Sequence, residues 1–292
     1  MIRDPERADD QAPILVMLHG FMGCGRDLEG PARETARQAG LRVLLPDLPG
    51  HGSAVHVPPI SLADAASFVW DAVKRVSSDD ARGASRHGGR RAAPQKAPLP
   101  RVLVAGYSLG GRVALAMAHQ YPSGVHGLFL ESAHPGLVDG AERRVRARHD
   151  TDIALRLQKA VTAAEFRAFL EAWYRQPVFR RHGQPPSDME DRIAQKLAAD
   201  TGPRTEPLAA ALRAFSLSTQ PDMWPVCARF GARAWYVSGA DDERYTRVGH
   251  QLAGRCPGLR HVNVPDAGHT VHRDQPDTYL QALQQFVTSC LT

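Results

Sequence analysis

The sequence predicts an α/β fold, a mostly parallel, doubly wound sheet with an inserted helical lid. Three observations predict it. Short apolar runs of strand length alternate with amphipathic helical stretches over residues 1–137, the alternation lapses into charged helical sequence over 138–220, and it returns over 221–292. The expected division is therefore a core of residues 1–137 and 221–292 carrying a lid of residues 138–220.

The run Ile14-Leu15-Val16-Met17-Leu18 has no polar interruption, which suits a central parallel strand covered on both faces, and it ends in the loop His19-Gly20-Phe21-Met22-Gly23. A helix over about 28–38 leads to a strand at 42–45. That strand stops at Pro46-Asp47-Leu48-Pro49-Gly50-His51-Gly52-Ser53, a loop by its prolines and glycines. Ser61 is placed to cap the next helix, with Asp64 at its third position and Ala65, Phe68, Val69, Ala72, Val73 and Val76 along one face. A strand at 102–105 and a helix at 112–120 flank Gly106-Tyr107-Ser108-Leu109-Gly110. The strand at 125–130 ends in Glu131-Ser132-Ala133-His134-Pro135-Gly136-Leu137. In the lid, Ile153, Leu157 and Val161 form one apolar face and Phe166, Phe169, Leu170 and Trp173 another. Strands at 234–238 and 262–264 and a helix over 276–290 close the chain.

A net charge of +5 invites a nucleic-acid reading, but its distribution argues against one. Arg82, Arg86, Arg90, Arg91, Lys96 and Arg101 supply +6 without an acid, so the rest of the chain sums to −1. The segment 81–101, rich also in Gly, Ala, Pro and Ser, reads as a flexible basic surface insertion. No apolar run approaches the roughly 18 to 20 residues of a membrane helix, and residues 1–11 are too polar for a signal peptide, so a cytoplasmic location is expected. Cys24, Cys227, Cys256 and Cys290 lack metal-ligand or disulfide-framework spacing. No metal or organic cofactor is expected, and no signal specifies an oligomeric state.

Chemistry is expected at Ser108. Gly-x-Ser-x-Gly between a strand and a helix describes a nucleophile elbow, in which the glycines let the backbone turn sharply enough to hold the hydroxyl clear of the sheet. A serine hydroxyl is inert at neutral pH without a histidine to take its proton and a carboxylate to orient that histidine. Folds of this kind place the acid and then the histidine on loops after late strands. His269, reached from the strand at 262–264 through Pro265-Asp266-Ala267-Gly268, is favoured over His134, His149, His261 and His272. For the acid, Asp242 is preferred to Asp241, with Asp266 the remaining choice. An oxyanion hole needs an amide after the serine and one from the first strand's loop, which here are those of Leu109 and Phe21.

Together, His19-Gly20-Phe21, Asp47-Leu48-Pro49-Gly50-His51-Gly52, Gly106-Tyr107-Ser108-Leu109-Gly110-Gly111 and Ala267-Gly268-His269 resemble the α/β-hydrolase superfamily. More specifically, Tyr107 to Arg112, His134-Pro135-Gly136-Leu137, Trp173-Tyr174-Arg175-Gln176-Pro177-Val178-Phe179, Ser216-Leu217, Gln220-Pro221-Asp222 and His272-Arg273 are similar to the 2-succinyl-6-hydroxy-2,4-cyclohexadiene-1-carboxylate synthases of menaquinone biosynthesis. The resemblance implies a lyase that eliminates pyruvate from a small tricarboxylate, with Tyr107, Arg112, Arg146, Trp173 and Tyr174 binding substrate. It also implies a third lid cation, for which Lys196 and Arg204 are the candidates. Arginine's planar fork suits such a substrate.

Overall fold

Residues 2–3, 12–84, 100–198 and 205–292 are described in the computed structural model of the chain. Most of the basic segment (85–99) and Arg204 lie outside them, as do residues 4–11. Seven strands form one sheet: β1 (Ile2–Arg3), β2 (Ile14–Leu18), β3 (Arg42–Leu44), β4 (Val102–Tyr107), β5 (Val125–Glu131), β6 (Ala234–Gly239) and β7 (Arg260–Val264). The order is β1-β3-β2-β4-β5-β6-β7, parallel throughout except for the short β1, which runs antiparallel to β3.

Alternation along the strands explains why both faces are covered. Ile14, Val16 and Leu18 of β2 enter one core with Val102 and Val104 of β4, while Leu15, Met17, Leu103 and Ala105 enter the other. The first core is closed by α2 (Leu62–Ala84), α3 (Leu109–Gln120), α8 (Trp224–Ala228) and α9 (Glu243–Arg255). The second is closed by α1 (Glu29–Ala39) and α11 (Pro276–Leu291), with α10 (Val271–Asp274) between β7 and α11. As expected of the Ser61 cap, the Asp64 amide donates to Ser61 Oγ at 3.1 Å.

Between β5 and β6 the chain forms α4 (Gly140–Lys159), α5 (Ala163–Tyr174), α6 (Met189–Leu197) and α7 (Thr205–Ala214), which share a third apolar cluster around Leu157, Leu170 and Ile193. Val161 departs from the expected face: α4 ends at Lys159, and Val161 beyond it is 67% exposed. The last strand begins at Arg260, earlier than its apolar sequence suggests, because this edge strand is only partly covered and carries polar residues. Among the described residues, no helix is long and apolar enough to cross a membrane.

The register sets the level of the loops. Leu18 pairs with Gly106, Tyr107 with Glu131 and Gly239 with Val264, so the loops after β2, β4, β5, β6 and β7 all emerge at the carboxyl edge of the sheet. Ligands of open α/β sheets bind at this edge, where the strand order reverses on either side of β2 and β4.

Candidate active site

Ser108 stands between β4 and α3 with φ 50° and ψ −107°, a conformation that a side-chain-bearing residue keeps only when its surroundings impose it. The imposition is steric and hydrogen-bonded. A Cβ on Gly106 would collide with the Gly110 carbonyl, and one on Gly110 with the Leu18 carbonyl, so both glycines allow the strand, turn and helix to close on one another. The Ser108 amide donates to the Glu131 carbonyl at 2.8 Å.

His269 Nε2 lies 3.1 Å from Ser108 Oγ, and its Nδ1 lies 2.7 Å from Asp242 Oδ2. Both His269 and Asp242 are buried. Asp242 is fixed from a second direction, because its Oδ1 accepts the Tyr245 amide at the start of α9. Asp241 points away: its carboxylate accepts the His182 amide at 3.0 Å, and Asp266 faces the same His182. Of the other histidines, His134 accepts the Gly136 amide, His261 meets Ser238, and His272 meets Glu131, while His149 lines the cavity on α4 without contacting Ser108.

The loop after β2 is held by His19, whose Nδ1–H donates to the Gly20 carbonyl at 2.8 Å while Nε2 accepts the Leu48 amide at 3.0 Å. That pattern needs the neutral ring, and burial lowers the His19 pKa accordingly. Asp47 braces the neighbouring loop by accepting the amides of Gly25 and Ser53. Phe21, so positioned, shares the cavity wall with Ser108 and Leu109. The Leu109 amide is at the first position of α3, where no intrahelical acceptor exists.

The cavity above Ser108 has a volume of about 950 Å³, enough for a small organic ligand. Trp173, Phe179 and Ile153 of the inserted segment face Ser108, His269 and Arg112 of the core across it. Arg112 begins the second turn of α3, and its Nη1 donates to Gln220 Oε1 at 3.3 Å. It forms no ion pair with a described residue. Burial and then the nearby Arg146 guanidinium push its pKa down to about 10, an effect that Tyr245 and Asp150 offset only in part. Arg146 also lines the cavity, but its charge is balanced: Nε donates to both oxygens of Asp150 at 2.8 Å, and Asp150 further accepts Ser216 Oγ.

Tyr107 lies against both the cavity and a smaller adjoining pocket, with its ring edge-on to His269 and His272. Burial keeps its phenol protonated, well above the usual tyrosine range. Trp173 is on the main cavity wall, but Tyr174 is not. Its side chain is buried and borders only the smaller pocket, packed on Phe179. Lys196 borders that pocket too, paired with Asp27 at 2.9 Å.

Sequence reasoning missed Tyr245, whose ring sits 4.6 Å from that of His269, and it gave no role to Gln220 within its segment, although the Gln220 Nε2–H donates to the His134 carbonyl and so aims its oxygen at Arg112. It also missed Glu131. This fully buried carboxylate accepts both the amide and the Nδ1–H of His272, three residues beyond His269. None of these contacts has a local sequence signature. Phe179, edge-on to His269, stands at the end of the Trp173 to Phe179 segment and was legible there.

Comparison with known proteins gives a consistent picture. The sequence profile of the alpha/beta hydrolase family matches residues 15–282. A protein of Serratia proteamaculans (strain 568) named 2-succinyl-6-hydroxy-2,4-cyclohexadiene-1-carboxylate synthase is 30% identical over 289 residues, covering 97% of this chain and 96% of its own. A protein of the same name from Enterobacter sp. (strain 638) is 29% identical over 275 residues, covering 94% and 92%. Among solved structures, MenH from S. aureus superposes with a TM-score of 0.77 at 22% identity over 96% of this chain and 95% of that one. A thermophilic esterase from Thermogutta terrifontis superposes with a TM-score of 0.67 at 22% identity, over 96% and 91%. At these identities the two structures speak for the fold.

Proposed function

The chain belongs to the alpha/beta hydrolase family, and from that premise we propose that it is a lyase: it eliminates pyruvate from 2-succinyl-5-enolpyruvyl-6-hydroxy-3-cyclohexene-1-carboxylate, giving 2-succinyl-6-hydroxy-2,4-cyclohexadiene-1-carboxylate for menaquinone biosynthesis. The observation that carries this reading is Arg112, an unneutralised guanidinium one helical turn beyond Ser108 on the wall of the cavity. A neutral ester has no use for it, whereas a tricarboxylate supplies the missing counterion. The names of the relatives that align over almost the whole chain support the same choice.

In this mechanism Ser108 Oγ takes the ring proton next to the succinyl carbonyl while passing its own proton to His269 Nε2. Asp242 holds the Nδ1–H and stabilises the imidazolium that results. The developing enolate oxygen is received by the amides of Phe21 and Leu109. As the enolate collapses, its electron pair completes the conjugated diene and breaks the ring carbon–oxygen bond. The departing enolpyruvate takes up the proton held by the His269 imidazolium to become pyruvate, which restores the Ser108–His269 pair, and no covalent enzyme intermediate forms. General-base and oxyanion groups contribute about 10²–10⁴ and 10²–10³ in rate respectively.

Pyruvate release from the enolpyruvyl substrate, followed by reduction with a coupled dehydrogenase, tests the proposal. Ser108→Ala should lose about 10²–10⁴ in kcat with an unchanged melting temperature. Wild-type release by that variant would remove Ser108 as the base. A second reading follows from the 3.1 Å Ser108–His269 contact, which would serve a nucleophilic serine equally well: an ester or carbon–carbon bond hydrolase. Burst release of a model ester's leaving group, with an acyl adduct on Ser108 and no pyruvate from the enolpyruvyl substrate, would favour that reading.

A further inference from the structure

Ser108 and His269 both come from the core, yet the loop carrying His269 is gripped by a residue of the inserted helices. Arg192, on α6, is 3% exposed. Its Nη1 donates to Thr270 Oγ1 at 3.1 Å, its Nη2 to Asp274 Oδ1 at 3.2 Å, and its Nε to Oδ1 of Asp188, the N-cap of its own helix, at 2.7 Å. The other oxygen of Asp274 accepts the Gly268 amide at 2.9 Å. Both neighbours of His269 are therefore tied to one guanidinium, Thr270 directly and Gly268 through Asp274. Thr270 Oγ1 also lies 3.4 Å from the hydroxyl of Tyr107, the residue before Ser108. We propose that Arg192 is a positioning residue that couples the docking of α6 to the registration of His269 against Ser108.

The energetic argument rests on what each side would leave behind if they separated. Without α6, Asp274 keeps only the Gly268 amide and the longer 3.9 Å approach of Arg181, and Thr270 Oγ1 is left with the 3.4 Å contact to the Tyr107 hydroxyl. Without the loop, Arg192 loses two of its three hydrogen bonds beside an apolar cluster containing Tyr174, whose ring lies 5.9 Å from the guanidinium carbon. An uncompensated buried charge on either side is costly, so the docked arrangement is stable as a unit. Catalysis is sensitive to the result, because a misplacement of about 1 Å in a reacting pair lowers rates by about 10²-fold. The inference depends on the Ser108–His269 pair being functional, whichever reaction it serves.

Two measurements test it on the full chain: steady-state pyruvate release, and the rate at which a fluorophosphonate labels Ser108, which needs only an assembled Ser108–His269 pair. Arg192→Met should lower kcat and the labelling rate together, by about 10²-fold, with KM changed less than about threefold. Arg192→Lys, which keeps the charge beside Asp274 but loses the fork to Thr270, should recover part of both rates. Thr270→Val removes one arm only, leaves the ion pairs in place, and serves if Arg192→Met fails to fold; both of its rates should fall several-fold. Folded variants with wild-type kcat and labelling would overturn the proposal, leaving Arg192 a structural ion pair. So would a raised KM at constant kcat, which would mark a substrate contact. If the wild type is labelled but releases no pyruvate, the proposed reaction fails while labelling still decides the role of Arg192. A wild type that does neither overturns both.

Discussion

Replacing Arg112 with methionine should make the protein no less stable and much less active, a pairing that separates a binding cation from a structural one. The guanidinium is held in the folded chain at a pKa of about 10, against its usual 12.5. Taken whole, that shift corresponds to about 3 kcal/mol against the charged form. Arg112 is only partly buried on the cavity wall, so a discounted cost of about 1–3 kcal/mol is appropriate. Methionine removes this cost and forfeits the 3.3 Å bond to Gln220, worth about 0.5–1.5 kcal/mol. The net expectation is a change between about −0.5 and +2.5 kcal/mol, centred near 1 kcal/mol in favour of the folded state, read as a melting temperature roughly unchanged or raised by a few degrees. A charge-assisted bond to a substrate carboxylate contributes about 1.5–3 kcal/mol, so kcat/KM should fall by about 10- to 150-fold. In the wild type, substrate affinity should hold steady through neutral pH and decline as pH rises past about 10, where the free guanidinium gives up its proton. Bound carboxylate should move that midpoint upward. An Arg112→Met variant that melts several degrees lower and retains its kcat/KM would refute the reasoning, because the guanidinium would then be supporting the fold.

Two further outcomes follow from the same geometry. Asp242→Asn should cost several orders of magnitude in kcat, by removing the acceptor that sets the His269 tautomer, whereas Asp241→Asn should leave kcat within about threefold; equal losses would undo the assignment of the two carboxylates. The protein should also be acid-labile through histidines kept neutral by burial. Burial lowers His51 and His134 to about 3, so below pH 6.5 these two sites together bind about two more protons in the unfolded chain than in the folded one. Their contribution is fully present above pH 6.5 and falls by about 2.7 kcal/mol per pH unit as the pH drops toward 3. Thermal melts from pH 7.5 to 5 should show this, and His51→Gln should flatten the profile. An unchanged slope in that variant would exclude His51 as a source.

What was readable in the chain depended on whether its cause was local. The elbow was readable because a backbone turned to φ 50° needs small residues on both sides, and that need is written as Gly106 and Gly110. The central strands were readable because burial on both faces demands unbroken apolar runs. Choosing between Asp241 and Asp242 was harder, since adjacent residues share every local property. What separates them is the N-cap geometry of α9, which turns Asp242 inward to His269 and leaves Asp241 to His182. Glu131 with His272, and Arg192 with Asp274, join positions far apart in sequence, and neither carboxylate announces its partner. Tyr174 shows the limit of a motif read as a block: two adjacent aromatics on a helix diverge by about 100°, and here only Trp173 reaches the main cavity.

The direction of β4 has a practical consequence for anyone who alters this protein. The strand carries the chain from Arg101, at the surface, through six residues to Ser108, a span of about 20 Å. Pro100, where the described chain resumes after residues 85–99, therefore lies at the end of β4 opposite Ser108. Affinity tags, fluorophores or tethers to a surface can be grafted at that join with a whole strand of hydrogen-bonded backbone as insulation. The same chemistry at the carboxyl-edge loops would change what it was meant to observe.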